Sequence, residues 1–310
     1  GNLLLGNVFN SASIEILYGN TDFEFLNSTQ ICITGADMNP KINGIPVKMW
    51  EIINISKGDK LILASSFKNL RAYLSIKNGI ELSNILNSKS THSIFDLGGM
   101  RLSAGNIIYS SFINNASTIK EINFLKKIPN HFEGEKVFFA TKGPEFDLLS
   151  DKSKIDIEDK KFKLSNRMSR TGALIEGSKL EVKNGTSDII SDGVSKGTIQ
   201  LPKDGNMYIL LEDSQRIGGY ARILNLESSS LWAFTQLKPG DEFKIVITTI
   251  EDAQKRLKEL NSIFLSNNIY SEKLFAEENI YVEGDIMNVK IFGESKEYIY
   301  INNMPLKIDF

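Results

Sequence analysis

Gly197-Thr198-Ile199-Gln200-Leu201-Pro202-Lys203-Asp204-Gly205-Asn206-Met207-Tyr208-Ile209-Leu210-Leu211 reads as two apolar strands joined by a tight turn. Proline cannot donate to a ladder, so Pro202 closes the first strand. Asp204-Gly205 between apolar runs is a strong hairpin signal. The second run stops at Glu212-Asp213, and Ser214-Gln215-Arg216-Ile217-Gly218-Gly219-Tyr220 follows. The double glycine is expected to wall a loop, taking torsions that a β-carbon forbids and letting a backbone come close. On this reading a buried hairpin delivers Asp213, Gln215 and Arg216 into a glycine-walled loop. A tight hairpin with a bulged exit is the plainer alternative, since most such loops are only turns.

The pattern repeats outward. Ile14 to Tyr18, Phe23 to Leu26, Gln30 to Thr34, Trp50 to Ile55, Lys60 to Ala64 and Leu70 to Ile76 are short strand-like runs. Asn43-Gly44 is a second hairpin signal. Turns recur about every eight to twelve residues, the spacing of a sandwich or barrel. Ile107 to Phe112 closes this half, and the polar run 114–118 reads as a linker. The second half opens with the strand Lys136 to Ala140 and a short helix near Lys142 to Asp147. After the central hairpin come the apolar runs Ala221 to Leu226 and Leu231 to Leu237, then the strand Glu242 to Thr248.

Thr249 to Phe264 is the one clear helix. Thr249 suits its cap and Glu251-Asp252 its positive end. Ala253, Leu257, Leu260 and Phe264 form an apolar stripe. Beyond it, Asn279 to Phe310 is strand-like again, with Gly293 to Lys296 as a turn. The expected architecture is mainly β: residues 1–115 and 118–265 as two barrel-like halves, the second with a C-terminal helix, and 270–310 as a small appended β-segment.

Composition removes several function classes. The net charge of -2 gives no reason to expect nucleic acid or an anionic membrane as partner. No apolar run approaches transmembrane length. Cys32 is the only cysteine, so no intrachain disulfide exists, which favours a reducing, cytoplasmic setting. A buried structural thiol is expected there. With only His92 and His131, a Cys/His zinc site is excluded and a Ser-His-Asp triad disfavoured. No metal site is expected. Walker and dinucleotide glycine motifs are absent. Proton transfer therefore falls to carboxylates, Lys, Tyr or a substrate group.

Arginine is the sharper clue. Against 29 Lys there are 7 Arg, and Arg167, Arg170, Arg216 and Arg222 fall in two short segments. A planar guanidinium grips a carboxylate or a ureido-type oxygen as lysine cannot.

These residues reach a family. Thr198-Ile199-Gln200-Leu201-Pro202-Lys203-Asp204-Gly205, Asp213-Ser214-Gln215 and Gly218-Gly219-Tyr220 resemble the KipA-like family, also called allophanate hydrolase subunit 2. Thr34-Gly35-Ala36-Asp37, Arg71-Ala72-Tyr73-Leu74, Gly143-Pro144-Glu145, Ser165-Asn166-Arg167-Met168, Ser191-Asp192-Gly193-Val194 and Leu237-Lys238-Pro239-Gly240-Asp241 extend the match in order over about residues 1–260. Two departures stand out: the family's Thr-Thr before the double glycine is Arg216-Ile217, and family segments upstream of Gly1-Asn2-Leu3 are missing, as if an N-terminal piece were absent from the sequence.

The resemblance implies two cyclophilin-like β-barrel halves and a role as the C subunit of ATP-dependent 5-oxoprolinase, an amidohydrolase that opens a cyclic amide to glutamate. It implies two partners, a KipI-like B subunit together with a LamB/YcsF-like A subunit, with ATP used by the complex. Biotin enters through the related domain of urea carboxylase. Two other roles stay open: a urea carboxylase-type carboxyltransferase, and a non-catalytic binding chain that antagonises a KipI-like kinase inhibitor. The expected site lies among Ser165–Met168, Ser191–Val194 and Asp213–Tyr220. Arg167 grips an anionic or carbonyl group, and Gln200 and Gln215 serve an amide or ureido ring. Gly218 and Gly219 let main-chain N–H groups approach the ligand, as an oxyanion-type site requires, Tyr220 is a further binding residue, and Asp192 or Asp213 handles the proton.

Overall fold

The structure is a computed structural model. It describes residues 1–262 apart from 9, 67, 93, 96, 111–133 and 184. From residue 263 it describes the backbone of 263–265, 274–282, 285–292, 298–301 and 304–307. His131 and the 114–118 linker lie outside these residues, as does the Gly293 to Lys296 turn.

The first half carries two four-stranded antiparallel sheets. One orders β1 (Ile14–Leu17), β8 (Arg71–Ile76), β3 (Thr29–Gly35) and β6 (Ile53–Ile55) as β1-β8-β3-β6. The other orders β2 (Thr21–Glu24), β7 (Lys60–Leu63), β4 (Lys41–Ile42) and β5 (Ile45–Pro46) as β2-β7-β4-β5. Ile14, Ile16, Ile31, Ile33, Leu61, Leu63 and Leu74 point from both sheets into one core. The Asn43-Gly44 turn joins β4 to β5, and the Asn43 side chain ties it to Asp59 and Lys60. The strand expected at Ile107 to Phe112 is reduced, among the described residues, to a bridge between Ser110 and Ile80. Cys32 is fully buried beside Leu4 and Leu5, and that burial pushes its thiol pKa up, as a structural thiol requires.

The second half closes on itself. Its strands are β9 (Val137–Lys142), β10 (Phe162–Met168), β11 (Gly172–Glu176), β12 (Asp188–Gly193), β13 (Thr198–Leu201), β14 (Met207–Leu210), β15 (Ile217–Leu226) and β16 (Glu242–Thr248). Seven form a ring, β15-β13-β14-β11-β10-β16-β9, because β9 pairs with both β16 and β15. The eighth, β12, adds outside the ring to the first residues of β15. Phe138, Phe162, Phe234 and Phe243 pack edge-on or tilted, with centroids 5.4–6.3 Å apart, and Ile199, Ile209 and Ile223 fill the same interior.

Among the described residues three helices border the barrel: α1 (Asp151–Asp159), α2 (Ser228–Phe234) and α3 (Ile250–Leu265). The short helix expected near Lys142 to Asp147 is a 3-10 turn, Phe146–Leu148, and α1 follows it. The run Leu231 to Leu237 lies mostly in α2, because Glu227 turns the chain out of β15. Thr249 caps α3 as expected: its Oγ1 accepts from the Asp252 amide at 3.1 Å. Ala253, Leu257 and Leu260 are only half-buried, while Arg256 pairs with the buried Glu227 and lies over the Phe139 ring. The four strands after α3, β17 (Leu274–Val282), β18 (Asp285–Phe292), β19 (Tyr298–Ile301) and β20 (Met304–Lys307), pair in sequence order as a separate sheet.

The two halves join through polar groups. Gln236 Oε1 accepts from the Leu70 and Arg71 amides at 3.1 and 2.8 Å, and its Nε2 donates to the Arg71 carbonyl at 2.9 Å. Arg71, itself buried, donates to the Thr235 carbonyl, and Lys238 donates to the Ser66 carbonyl. Among the described residues, no helix is long and apolar enough to cross a membrane.

Candidate functional site

Strand alternation decides which side chains leave the barrel core. Ile199, Leu201, Met207, Ile209, Ala173, Ile175, Ala221 and Ile223 point inward. Their alternates point out. Pairing aligns Leu174 with Tyr208, Tyr208 with Gln200, and Gln200 with Arg222, one row across four strands. On that outer face lies a cleft of about 810 Å³. Leu174 and Leu210 are buried without joining the barrel core, and they make its apolar floor. Arg167 from the bulged end of β10 and Gln215 from the turn after β14 stand at its borders, with Asp188 and Tyr220 from the β12–β15 pair.

The structure therefore brings together Arg167, Gln200, Gln215 and Tyr220. Arg167 is exposed to the cleft and its guanidinium has no acidic partner among the described residues. Gln200 is 3% exposed, and its Nε2 finds no hydrogen-bond partner among the described residues. A buried donor without a partner is costly and calls for a cause, and here it stands on a cleft wall that is open to a ligand or to water.

Gly218 and Gly219 are not a loop. They are the second and third residues of β15, paired with β12, and neither takes a left-handed torsion. The need for glycine is spatial. A β-carbon on Gly218 would stand 2.5 Å from Gln200 Nε2, so the glycine makes room for the glutamine amide. Gly218→Ala should keep the barrel folded, with the melting temperature little changed, because the atom in its way is the end of a side chain. It should displace that amide from its place beside the cleft, and affinity for a cleft ligand should fall several-fold by calorimetry.

Asp192 and Asp213 do not reach the cleft lining. Asp213 is 5% exposed and held by Arg170, with Nε–Oδ2 3.0 Å. Asp192 is exposed, and the Gly193 amide and Arg222 hold its carboxyl below the usual range. Arg222 is likewise committed to structure. It grips Glu145 through Nε and Nη2 at 2.9 and 2.8 Å, and Nη1 reaches Asp192 and the Gly193 carbonyl at 2.8 Å. Gly143 allows this approach, since a β-carbon there would lie 2.1 Å from the Arg222 carbonyl oxygen. Arg216 is exposed, and its carbonyl accepts from the Val194 amide.

The lining also includes Asp188, Lys203, Asp204 and Tyr208, which the sequence did not assign to the site. Lys203 Nζ lies 2.6 Å from Asp188 Oδ2, and this bond raises the lysine pKa. Tyr208 Oη donates to Asp204 Oδ2 at 3.3 Å. Burial and the Asp204 charge raise the tyrosine pKa against the opposing pull of Arg167, so the phenol stays a proton donor at neutral pH. The hairpin register, with Tyr208 opposite Gln200, was the signal that could have found it. Among the described residues the cleft thus offers the Arg167 guanidinium without an acidic partner, the amides of Gln200 and Gln215, the phenols of Tyr208 and Tyr220, and two carboxylates, of which Asp188 is paired with Lys203. No cluster of metal-ligating side chains occurs among the described residues.

Residues 1–247 match the family described as carboxyltransferase domain, subdomain A and B. The chain is 28% identical over 268 residues to the C subunit of 5-oxoprolinase from Haemophilus influenzae, covering 86% of this chain and 84% of that protein. It is 25% identical over 272 residues to the Escherichia coli protein of that name, covering 85% and 84%. Urea amidolyase of Lachancea kluyveri is 25% identical over 285 residues, which make up 83% of this chain and 15% of that enzyme. The solved structure of Kluyveromyces lactis urea carboxylase superposes with a TM-score of 0.79 at 22% identity, over 97% of this chain and 30% of that one. That coverage runs past the family match into the C-terminal sheet, although this chain spans less than a third of the larger protein. With four-fifths of its length matched, the chain belongs to the carboxyltransferase domain, subdomain A and B, family.

Proposed function

We propose that this chain is the C subunit of an ATP-dependent 5-oxoprolinase, and that the outer-face cleft receives the cyclic amide. The observation that carries this reading is an Arg167 without an acidic partner and a Gln200 amide without a hydrogen-bond partner, among the described residues, on one cleft, in a chain whose bacterial relatives bear that name over most of their length. A lactam acid needs a cation for its carboxylate and a donor for its ring carbonyl. Arg167 serves the first, with Gln200 and Gln215 serving the second. Tyr208, hydrogen-bonded to Asp204, is placed to give a proton to the departing amide nitrogen. Tyr220 lines the same cleft from β15, whereas Gly218 and Gly219, which precede it on that strand, are not among the lining residues. ATP chemistry falls to the partners, a KipI-like B subunit together with a LamB/YcsF-like A subunit. Residues 1–115 and 118–265 serve as the two β units and 270–310 as the appended one. The lone buried thiol of Cys32 suits a cytoplasmic assembly.

The test is reconstitution. The three chains together should release glutamate and ADP from 5-oxoproline and ATP, and omission of this chain should abolish it. Full activity without this chain would leave a binding or regulatory role. A urea carboxylase-type reaction is the second reading, favoured by the urea carboxylase superposition. In that case the Gln200 amide is the group fitted to a ureido oxygen of biotin or urea.

Arg167→Lys keeps the charge and loses the fork. Affinity of the assembled complex for 5-oxoproline should fall about tenfold, or about 1.5 kcal/mol, as expected for one lost charge-assisted bond. Unchanged affinity would remove Arg167 from the site.

A further inference from the structure

The cleft is lined wholly by residues 167–220, yet its borders are tied to the first half of the chain. Two turns make these borders. The first, Ser169–Gly172, carries Thr171 and Gly172 into the lining; the second, Leu211–Gln215, carries Gln215. The turns are stitched together by backbone bonds, Leu211 N to Thr171 O at 3.0 Å and Asp213 N to Arg170 O at 2.9 Å. The Arg170 side chain spans the same gap, with Nε 3.0 Å from Asp213 Oδ2 and Nη2 3.5 Å from Oδ1. Its remaining terminal nitrogen, Nη1, lies 2.8 Å from Oε1 of Glu15, on β1 of the first half. Glu15 is braced in turn by Arg71 at 3.7 Å and by the Tyr73 hydroxyl at 3.4 Å. Burial, then the Glu15 charge, pushes the Tyr73 pKa up to about 12, so this phenol remains a donor at neutral pH.

From this we infer that Arg170 is a positioning residue that clamps the two cleft borders to each other and, through Glu15, to the first half. Ligand binding by the cleft then depends on a residue that lies outside it. This also accounts for Asp213: its carboxylate is the inner jaw of the clamp, and Arg170 occupies it. The inference rests on the proposed reading only where 5-oxoproline is used as the probe. The clamp itself is a statement about the chain alone.

The experiment has two arms, each with Glu15→Gln, Arg170→Met and the double variant. In the first, amide hydrogen exchange is followed on the full chain. The amides of Leu211 and Asp213 should exchange at least tenfold faster in both single variants, while those of Ile199 and Ile209 in the barrel wall stay as in the wild type. In the second, 5-oxoproline turnover is followed in the reconstituted complex. KM should rise about fivefold or more in each single variant with kcat within twofold, and the double variant should be no worse than Arg170→Met. Arg170→Lys, which keeps one reach of the clamp, should recover part of the loss. Failure of the wild-type complex to turn over 5-oxoproline sinks the functional reading, and the exchange arm still decides the clamp. Unchanged exchange at Leu211 and Asp213, exchange raised equally throughout the barrel, or strictly additive KM effects would overturn it.

Discussion

Gln236→Leu should cost the chain about 3–5 kcal/mol of stability, seen as a melting temperature lower by about 10 °C. The side chain is 7% exposed, and it closes the joint between the halves with three hydrogen bonds to the backbone of Leu70 and Arg71. Leucine of similar volume fills the space but offers neither acceptor nor donor. The Leu70 and Arg71 amides lose the acceptor they share, and a buried amide left unmade costs about 1–3 kcal/mol. Gln236→Glu keeps the acceptor, but when ionised it sets a second carboxylate oxygen against the Arg71 carbonyl; its cost should shrink on acidification, when the protonated carboxyl can donate as the amide does. A Gln236→Glu loss that does not shrink relative to Gln236→Leu as pH falls would mean that the joint depends on shape and not on these bonds.

How much of this was legible depended on sequence distance. The central hairpin could be read because Pro202 and Asp204-Gly205 act within a few residues, and β13, its turn and β14 fall where they were expected. The same holds for the Asn43-Gly44 turn and the Thr249 cap. Gly218-Gly219 misled because glycine has two uses, permissive torsion and permissive space, and sequence does not separate them. Only the fold places Gln200 Nε2 against Gly218.

The candidate site divided in the same way. Arg167, Gln200, Gln215 and Tyr220 meet at one cleft. Asp192 and Asp213 are held by Arg222 and Arg170 instead, and neither pairing is visible from spacing, at separations of 30 and 43 residues. The arginine shortage pointed to residues with definite tasks. For Arg170, Arg222, Arg256 and Arg71 that task is ion pairing or joining segments of the chain. Asp188, Lys203, Asp204 and Tyr208 escaped notice because a turn and a strand explain them locally. What gives them a common face is the register that links β12, β15, β13 and β14.

Arg222→Leu is the second large effect, about 3 kcal/mol. Its guanidinium is 14% exposed and Glu145 is 17% exposed, so the pair is close to buried. Removing one partner of a buried pair leaves the other desolvated and alone, at about 3–5 kcal/mol when burial is complete; the residual exposure here puts the cost at the low end. Asp192, two-thirds exposed, adds little. The pH dependence separates this cause from lost packing. Arg222 holds the Glu145 pKa below its ordinary 4.5. A carboxyl depressed on folding gives stability that is fully present above the unfolded value and lost as pH falls through the folded one. Wild-type stability should therefore drop on acidification below about pH 4.5. In Arg222→Leu the lone Glu145 carboxylate is relieved by the same protonation, so the gap between the two proteins should narrow as pH falls. Adding Glu145→Gln to Arg222→Leu should recover part of the loss at neutral pH. Urea unfolding of the wild type, both single variants and the double variant at about pH 7 and about pH 4 measures both effects. A gap that stays constant with pH would assign the loss to packing of the Arg222 stem and not to the charge it carries.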